Sequence, residues 1–401
     1  MIPSLTWLDF TADDRNRMRR VLDLFTEQGT VDELGLGTLR DALSDALFPG
    51  TSTLQTRLRY LLFIPWIYQK LERDRAKAAE VQDRARRAEL ALINPLSNAE
   101  DNEGVIGARA RGTLKILPST VYWGAIVRWG LFVPAKSQSW YHSHFHGLVR
   151  GRTDLSPADD PGVIWTKQPT WHPRLPNAPP HFPEATSFDL SREEAHFLLD
   201  QITARCPGTL LAWLAAEGED PTGSFWDEPA VENAPESIRA TVELARRFSR
   251  HLEGAPLLYN LLLAEERHRG QREDTDAEQI DSYGGLLAAW AAAEADEEPF
   301  NPTELWSFVA GQGGRLIAPQ QRFVEAWTRR VTEVGAVAVA GDQQVRNLVR
   351  DREIALKRDR SRFTNESRLL DWTGHSGVGR FDFRWFRVRQ LLTDLHRGLE
   401  A

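Results

Sequence analysis

Ser119-Thr120-Val121-Tyr122-Trp123-Gly124-Ala125-Ile126-Val127-Arg128-Trp129-Gly130-Leu131-Phe132 is the stretch on which the reading of the fold turns. Ser119 is a good N-cap, Thr120 to Trp129 reads as one helix of nearly three turns, and Gly130 is a natural stop before Leu131-Phe132-Val133. The stretch lies in an acid-free island. Residues 104 to 153 contain no Asp or Glu, although 57 acids in 401 residues would place about seven there. The island carries Arg109, Arg111, Lys115, Arg128, Lys136, Arg150 and Arg152, together with His142, His144 and His146. On a chain of net charge -8 this pattern points to a surface built for phosphate.

With Val105 to Ile116 as a preceding helix and Leu117-Pro118 as the turn, the segment from about 104 to 133 resembles the helix-turn-helix and wing strand of winged-helix DNA-binding domains. That resemblance implies Thr120, Tyr122 and Arg128 as readers of bases or phosphates. Trp123, Ala125, Ile126 and Val127 leave fewer readers than a sequence-specific protein presents. Non-specific backbone contact by Arg109, Arg111, Lys115 and Arg128, extended by Arg150 and Arg152, is the expectation. A helix-turn-helix used only for packing is the competing reading.

Around this segment helical periodicity dominates, so the expected fold is mainly α and multi-domain, with the winged-helix-like segment in the N-terminal half and a helical bundle in the C-terminal half. The expected divisions are 1–156, a proline-rich connector over 157–190, a helical domain over 191–300 and a C-terminal helical region over 301–401 with an Arg-rich end. Thr11-Ala12-Asp13-Asp14 opens a first helix, Thr38 to Leu47 forms a second, and Gln55 to Leu71 a third that Pro65 should kink. Residues 72 to 90 continue it as a charged surface helix. Eight prolines between Pro157 and Pro183 forbid a helix there, and Trp165 and Trp171 favour an ordered arm. Ser191-Arg192-Glu193-Glu194 is a capping box. Helices follow over Ile238 to Leu252, Ala255 to Glu266 and Tyr283 to Glu294, with two or three more in 303–358. Arg380 to Leu399 alternates first and then turns helical, the pattern of a short strand followed by a terminal helix.

Composition bounds the remaining choices. One cysteine, Cys206, excludes a disulfide framework and any multi-cysteine metal site. Met1-Ile2-Pro3-Ser4-Leu5-Thr6-Trp7 lacks a signal-peptide pattern, and the longest apolar stretch, Tyr60 to Tyr68, is far below the roughly 20 residues a bilayer needs. A soluble cytoplasmic protein without membrane contact is expected. Residues 346–401 hold thirteen Lys or Arg against eight acids, so this tail is +5 while the rest sums to -13. Within it Arg380 and Arg384 are candidates to join the phosphate-binding surface, against the alternative of solvated ion pairs.

Weaker chemical patterns are present. His142, His144 and His146 at period two would share one face of a strand, where two of them plus a distant carboxylate could hold a divalent ion. Arg246 and His251 fit the Arg, four residues, His spacing of HEPN ribonucleases, with Arg247 where that family has a polar residue. Gly374, Gly377 and Gly379 could cradle a phosphate but lack the P-loop signature, and a connecting turn is the plainer reading. Trp372 and Trp385 flank those glycines and could stack on bases or sit in a core. No catalytic residue, cofactor or metal ligand is assigned.

Several stretches across nearly the whole chain resemble the bacterial domain-of-unknown-function family 6361: Trp7-Leu8-Asp9-Phe10, Asp32 through Ser52, Gln55 through Tyr68, Pro118 through Trp123, Gly254 through Asn260, and Phe383-Arg384-Trp385. The resemblance implies no established activity. It implies an association with phage-defence neighbourhoods that hold helicases and phospholipase-D-like nucleases. The function expected is a non-enzymatic nucleic-acid-associated component of a bacterial anti-phage defence or DNA-transaction complex, with DNA preferred over RNA and other complex members as possible partners. A nuclease, HEPN-like or His-metal dependent, and a protein scaffold without nucleic-acid affinity are the alternatives.

Overall fold

In a computed structural model, residues 32–150, 169–217, 219–221, 223–271 and 274–401 are described. The first expected helix after Thr11, and Arg152 and Trp165, lie outside them. The fold is mainly α: among the described residues there is no strand, only an isolated antiparallel bridge between Phe132 and Trp171. The helices are α1 Gly37–Leu47, α2 Tyr60–Arg73, α3 Val81–Ala91, α4 Ile93–Asn98, α5 Pro118–Arg128, α6 Gln138–Arg150, α7 Arg192–Arg205, α8 Leu210–Glu217, α9 Pro229–Glu232, α10 Glu236–Gln271, α11 Asp274–Ala295, α12 Pro302–Gly311, α13 Ala318–Val334, α14 Gln343–Lys357, α15 Glu366–Leu370 and α16 Trp385–Glu400. No described helix is long and apolar enough to cross a membrane.

The described chain divides into two compact units. One comprises Leu47–Ile238 with Arg384–Ala401, and the other residues 32–46 with Arg239–Phe383. Both are discontinuous, and the division at Ile238 falls in the first turn of α10 rather than in a proline-rich connector.

In the first unit α2 is the central helix, with eleven of its fourteen residues buried, Pro65 among them. A helix apolar on all sides belongs in a core. It begins at Tyr60, five residues later than the periodicity predicts, because 53–59 form turns whose backbone bonds to side chains elsewhere. The expected charged continuation breaks at Asp74 before α3 resumes. Tyr68, Trp123, Phe132, Tyr141 and Trp171 pack as one aromatic cluster with ring centroids 5.0–6.2 Å apart. Trp171, from the proline-rich segment, is buried there and donates to Glu72 Oε1 at 2.8 Å, so this part of the segment is an ordered arm. The capping box forms as read: Ser191 Oγ accepts from Glu194 N at 3.3 Å and Glu194 Oε2 accepts from Ser191 N at 3.0 Å. Helix α16 buries Trp385, Val388, Leu391, Leu392 and Leu395, the three-four spacing of its sequence, and its Asp394 accepts from Arg57 Nε at 3.0 Å and Leu58 N at 2.8 Å.

In the second unit α10 runs 36 residues through Pro256 as one helix rather than two. A proline removes one ladder bond. Buried positions on both sides, from Val242 to Leu252 and from Ala255 to Ala264, hold the halves together. Glu33 and Glu353 form a buried network with Lys357, Arg362, Ser361 and Ser376, two carboxylates closed by two cations. The short strand expected before α16 is absent. Arg380–Arg384 is irregular, with Phe383 and Arg384 both at positive φ, and the alternation arises because Phe381 stacks on Phe248 at 5.5 Å while Phe383 is buried.

The winged-helix reading is corrected. Residues 105–116 are turns and a single 3-10 turn, Arg111–Thr113, not a helix, and no wing strand follows α5. Gly104 and Gly107 adopt φ of +83° and +88°, and Arg111 also has positive φ, which no α-helix accommodates.

Candidate nucleic-acid interface

The segment between α4 and α5 is fixed without being helical. Tyr60 OH accepts from Ile106 N at 3.0 Å, Thr56 Oγ1 donates to Gly104 O at 2.6 Å, and Arg86 donates to Gly112 O at 3.2 Å. Leu114 and Ile116 are buried. A Cβ on Gly107 would lie 2.9 Å from both Ile93 and Leu114, so glycine lets the loop press onto α4. Arg109, Arg111 and Lys115 remain exposed on this anchored loop. Arg111 donates to Asn94 Oδ1. Arg109 and Lys115 make no hydrogen bond or ion pair among the described residues, as expected where the neighbouring sequence offers no carboxylate.

Helix α5 starts at Pro118, a favoured first position, with Leu117 extended before it. Ser119 is therefore inside the helix rather than its cap. The free amide of the first turn is served from α3: Glu89 Oε2 accepts from Ser119 N and Oε1 from Ser119 Oγ, both at 2.8 Å. Eight of the eleven α5 residues are buried. Tyr122 is one of them, fully enclosed, its hydroxyl accepting from Thr56 N and Arg57 N at 2.8 and 2.9 Å and donating to Arg57 O at 2.7 Å. It anchors the turn before α2 and reads no base. What α5 shows to solvent is a stripe at spacing four, Thr120, Gly124 and Arg128, all half-buried. Nothing lies within 4 Å of the position a Gly124 Cβ would occupy.

The three histidines lie on helix α6, where residues two apart point to different sides, so the shared strand face does not exist. His142 closes a chain of hydrogen bonds that starts at Glu89 and runs through Ser119 Oγ, Gln138 Nε2 (2.8 Å), Tyr68 OH (2.8 Å), His142 Nε2 (3.1 Å) and, from His142 Nδ1, Gln82 Nε2 (3.2 Å). Burial pushes the Glu89 carboxyl up to about 7 and drops His142 to about 4. His144 stacks on Trp140 at 4.4 Å and is exposed, as is His146. Among the described residues no group of three or more His, Cys, Asp or Glu is placed to hold a metal ion.

The remaining candidates are mostly engaged. Arg150 ends α6. Arg380, in the second unit, pairs with Glu253 at 2.7 Å. Arg384, in the first, donates to Thr51 O at 2.9 Å, and Arg387 beside it donates to Thr53 O at 3.0 Å. Arg346, Arg350 and Arg362 bind Glu265, Glu266 and Glu33. The Arg-rich tail is thus largely an internal ion-pair and capping system, because its acids lie elsewhere in the sequence. Arg246 pairs with Glu243 and Glu297, and His251 is buried with Nδ1 on Glu294 and Nε2 on Thr328 at 2.9 Å, an enclosed strut between helices rather than a pair facing RNA. Trp372 and Trp385 are core residues. Gly374, Gly377 and Gly379, all at positive φ, form a turn held by Tyr283 OH donating to Gly374 O at 2.8 Å and Asn260 Nδ2 to Ser376 O at 2.8 Å.

Sequence reasoning missed Arg86 and Asn94, which brace the loop, and Arg205, which lies outside the acid-free island. No curated protein and no solved structure matches the chain. It matches the Family of unknown function (DUF6361) over residues 2–398 and belongs to that family.

Proposed function

We propose that this protein binds nucleic acid without cutting it, contacting the phosphate backbone through the loop that carries Arg109, Arg111 and Lys115, as a component of a bacterial defence or DNA-transaction complex. One observation carries the reading. Among the described residues Arg109 and Lys115 stand exposed and without a hydrogen-bond or ion-pair partner on an anchored loop, whereas most arginines of the basic tail are bonded within their own unit. Cations left without a carboxylate on a chain of net charge -8 keep their charge for an outside anion. The loop is irregular and α5 is largely buried, so the contact is to backbone phosphates of duplex DNA rather than to base edges.

The test is a fluorescence-anisotropy titration with duplex DNA, single-stranded DNA and RNA at 50 and 200 mM salt. Three phosphate contacts give a roughly 40-fold loss of affinity over that fourfold salt rise. The triple variant Arg109→Glu, Arg111→Glu, Lys115→Glu is expected to lose most binding with its circular dichroism unchanged. Absence of binding by the wild type, or binding indifferent to the variant, removes the reading and leaves a protein partner as the thing to find.

A further inference from the structure

The opposite end of α5 brings Arg128 of the acid-free island together with Arg205, which lies outside it. Gly50 has φ +88°, and a Cβ there would come within 3.2 Å of Arg128 Cγ. Gly130 has φ +75°, and a Cβ there would lie 2.7 Å from Arg205 Nε and 3.1 Å from Arg205 Cζ. The Arg128 stem therefore packs beside Trp129 against Gly50, and the Arg205 guanidinium lies against Gly130, each on backbone at positive φ that glycine leaves open. Neither makes a hydrogen bond or ion pair among the described residues.

His172 is beside them, its backbone N donating to Leu131 O at 2.8 Å. Its imidazole is held below the usual range by burial first and then by the charges of Arg174 and Arg205. Among the described residues Arg174 pairs with Asp200 at 3.4 Å. Arg128 and Arg205 each occupy the last turn of a helix, where a cation offsets about half a negative charge. Two full charges against two halves leave roughly one positive charge unanswered.

We propose that Arg128 and Arg205 clamp one or two backbone phosphates of the same nucleic acid that the 109–115 loop contacts, so that the strand lies along the Thr120, Gly124, Arg128 stripe. The inference rests on the nucleic-acid reading and adds its footprint. Eleven helical residues span roughly 16 Å, the axial length of about five nucleotides. Gly124, half-buried and with no atom within 4 Å of where a Cβ would stand, lets a sugar-phosphate chain pass close to the helix midway.

The experiment compares the duplex-DNA salt dependence of the wild type, the loop triple variant and Arg128→Gln/Arg205→Gln. It also follows the His172 imidazole by NMR. Losing two contacts is expected to flatten the log-log salt slope by about 1.8 and to lower affinity roughly 60-fold at 0.1 M salt. DNA should shift the His172 resonance in the wild type but not in the double variant. Gly124→Glu, which leaves both arginine seats intact, should weaken binding as well and so stands in if the double variant folds poorly. If the double variant and Gly124→Glu bind as the wild type does while the loop variant fails, the clamp is overturned and the loop reading survives. If the wild type binds no nucleic acid, inorganic pyrophosphate decides the clamp. A His172 shift that the double variant loses keeps it as an anion site without nucleic acid, and no shift at tens of millimolar removes it too.

Discussion

Glu89→Gln should make the protein more stable at pH 8 and leave it nearly unchanged at pH 5. The carboxyl is 1% exposed and accepts two hydrogen bonds from Ser119, yet burial raises it from an ordinary 4.5 to about 7, a difference equivalent to roughly 3 kcal/mol. Its folded state binds the proton more tightly than the unfolded state does. The stabilisation is complete below pH 4.5 and is lost as pH rises through 7, where the folded protein holds an unneutralised carboxylate. An amide of the same shape accepts from Ser119 N and donates to Ser119 Oγ once that hydroxyl turns. Subtracting about 1 kcal/mol for the reoriented bond leaves a gain of about 2 kcal/mol at pH 8. His142 works in the opposite sense. Held at about 4 against an ordinary 6.5, it adds stability as pH rises from 4 to 6.5. The two slopes overlap along one hydrogen-bond chain, so the wild type should look nearly flat between pH 4.5 and 6.5, and Glu89→Gln should expose the rise due to His142. Equilibrium urea unfolding at pH 5, 6, 7 and 8, read by tryptophan fluorescence and far-ultraviolet circular dichroism, measures this. A difference between variant and wild type that stays constant from pH 5 to 8 would falsify the argument.

His142→Gln is the mirror experiment: the same unfolding series should show stability falling from pH 5 to 7. Gly124→Ala should raise unit-one stability by roughly 0.5–1 kcal/mol in a thermal melt, since a half-buried helical glycine gains propensity and its Cβ meets no atom within 4 Å. Gly254→Ala should do the reverse by about 1–3 kcal/mol, because its Cβ would lie 2.5 Å from the buried Trp290 ring; an unchanged melting temperature there would show that the indole shifts freely. Asp394→Ala leaves the Arg57 guanidinium, only 5% exposed, with the more exposed Asp101 at 2.8 Å as its remaining carboxylate, and should cost about 1–3 kcal/mol in urea unfolding.

Periodicity made most of the fold legible. The capping box before α7, the two or three helices expected in 303–358, where three form, and the buried stripe of α16 follow from residue spacing. The loop at 105–116 has apolar residues at helical spacing, but positive φ at Gly104, Gly107 and Arg111 keeps it from being a helix, and only the glycines signal that in the sequence. Helix α5 held its own warning: apolar residues on nearly every side mark a core helix, and that places Tyr122 inside. The cations were harder. Nothing local separates Arg109, without a partner among the described residues, from Arg380, whose partner Glu253 lies 127 residues away. Arg205 carries no local signal, since its seat is made by Gly130 on another helix's end.

The ion pair between Arg57 and Asp394 joins residues 337 apart in sequence, within one unit. At ordinary translation rates of about 5–20 residues per second, Asp394 is made roughly 17 to 67 seconds after Arg57. Until then the nascent chain carries the Arg57 guanidinium with Asp101 but without its buried partner, and the apolar surfaces of α7 and α8 that α16 covers. The first unit can therefore close only after the second has been synthesised, which makes its assembly late, dependent on distant contacts and exposed to holdase chaperones in a way that its finished, closely packed core does not reveal.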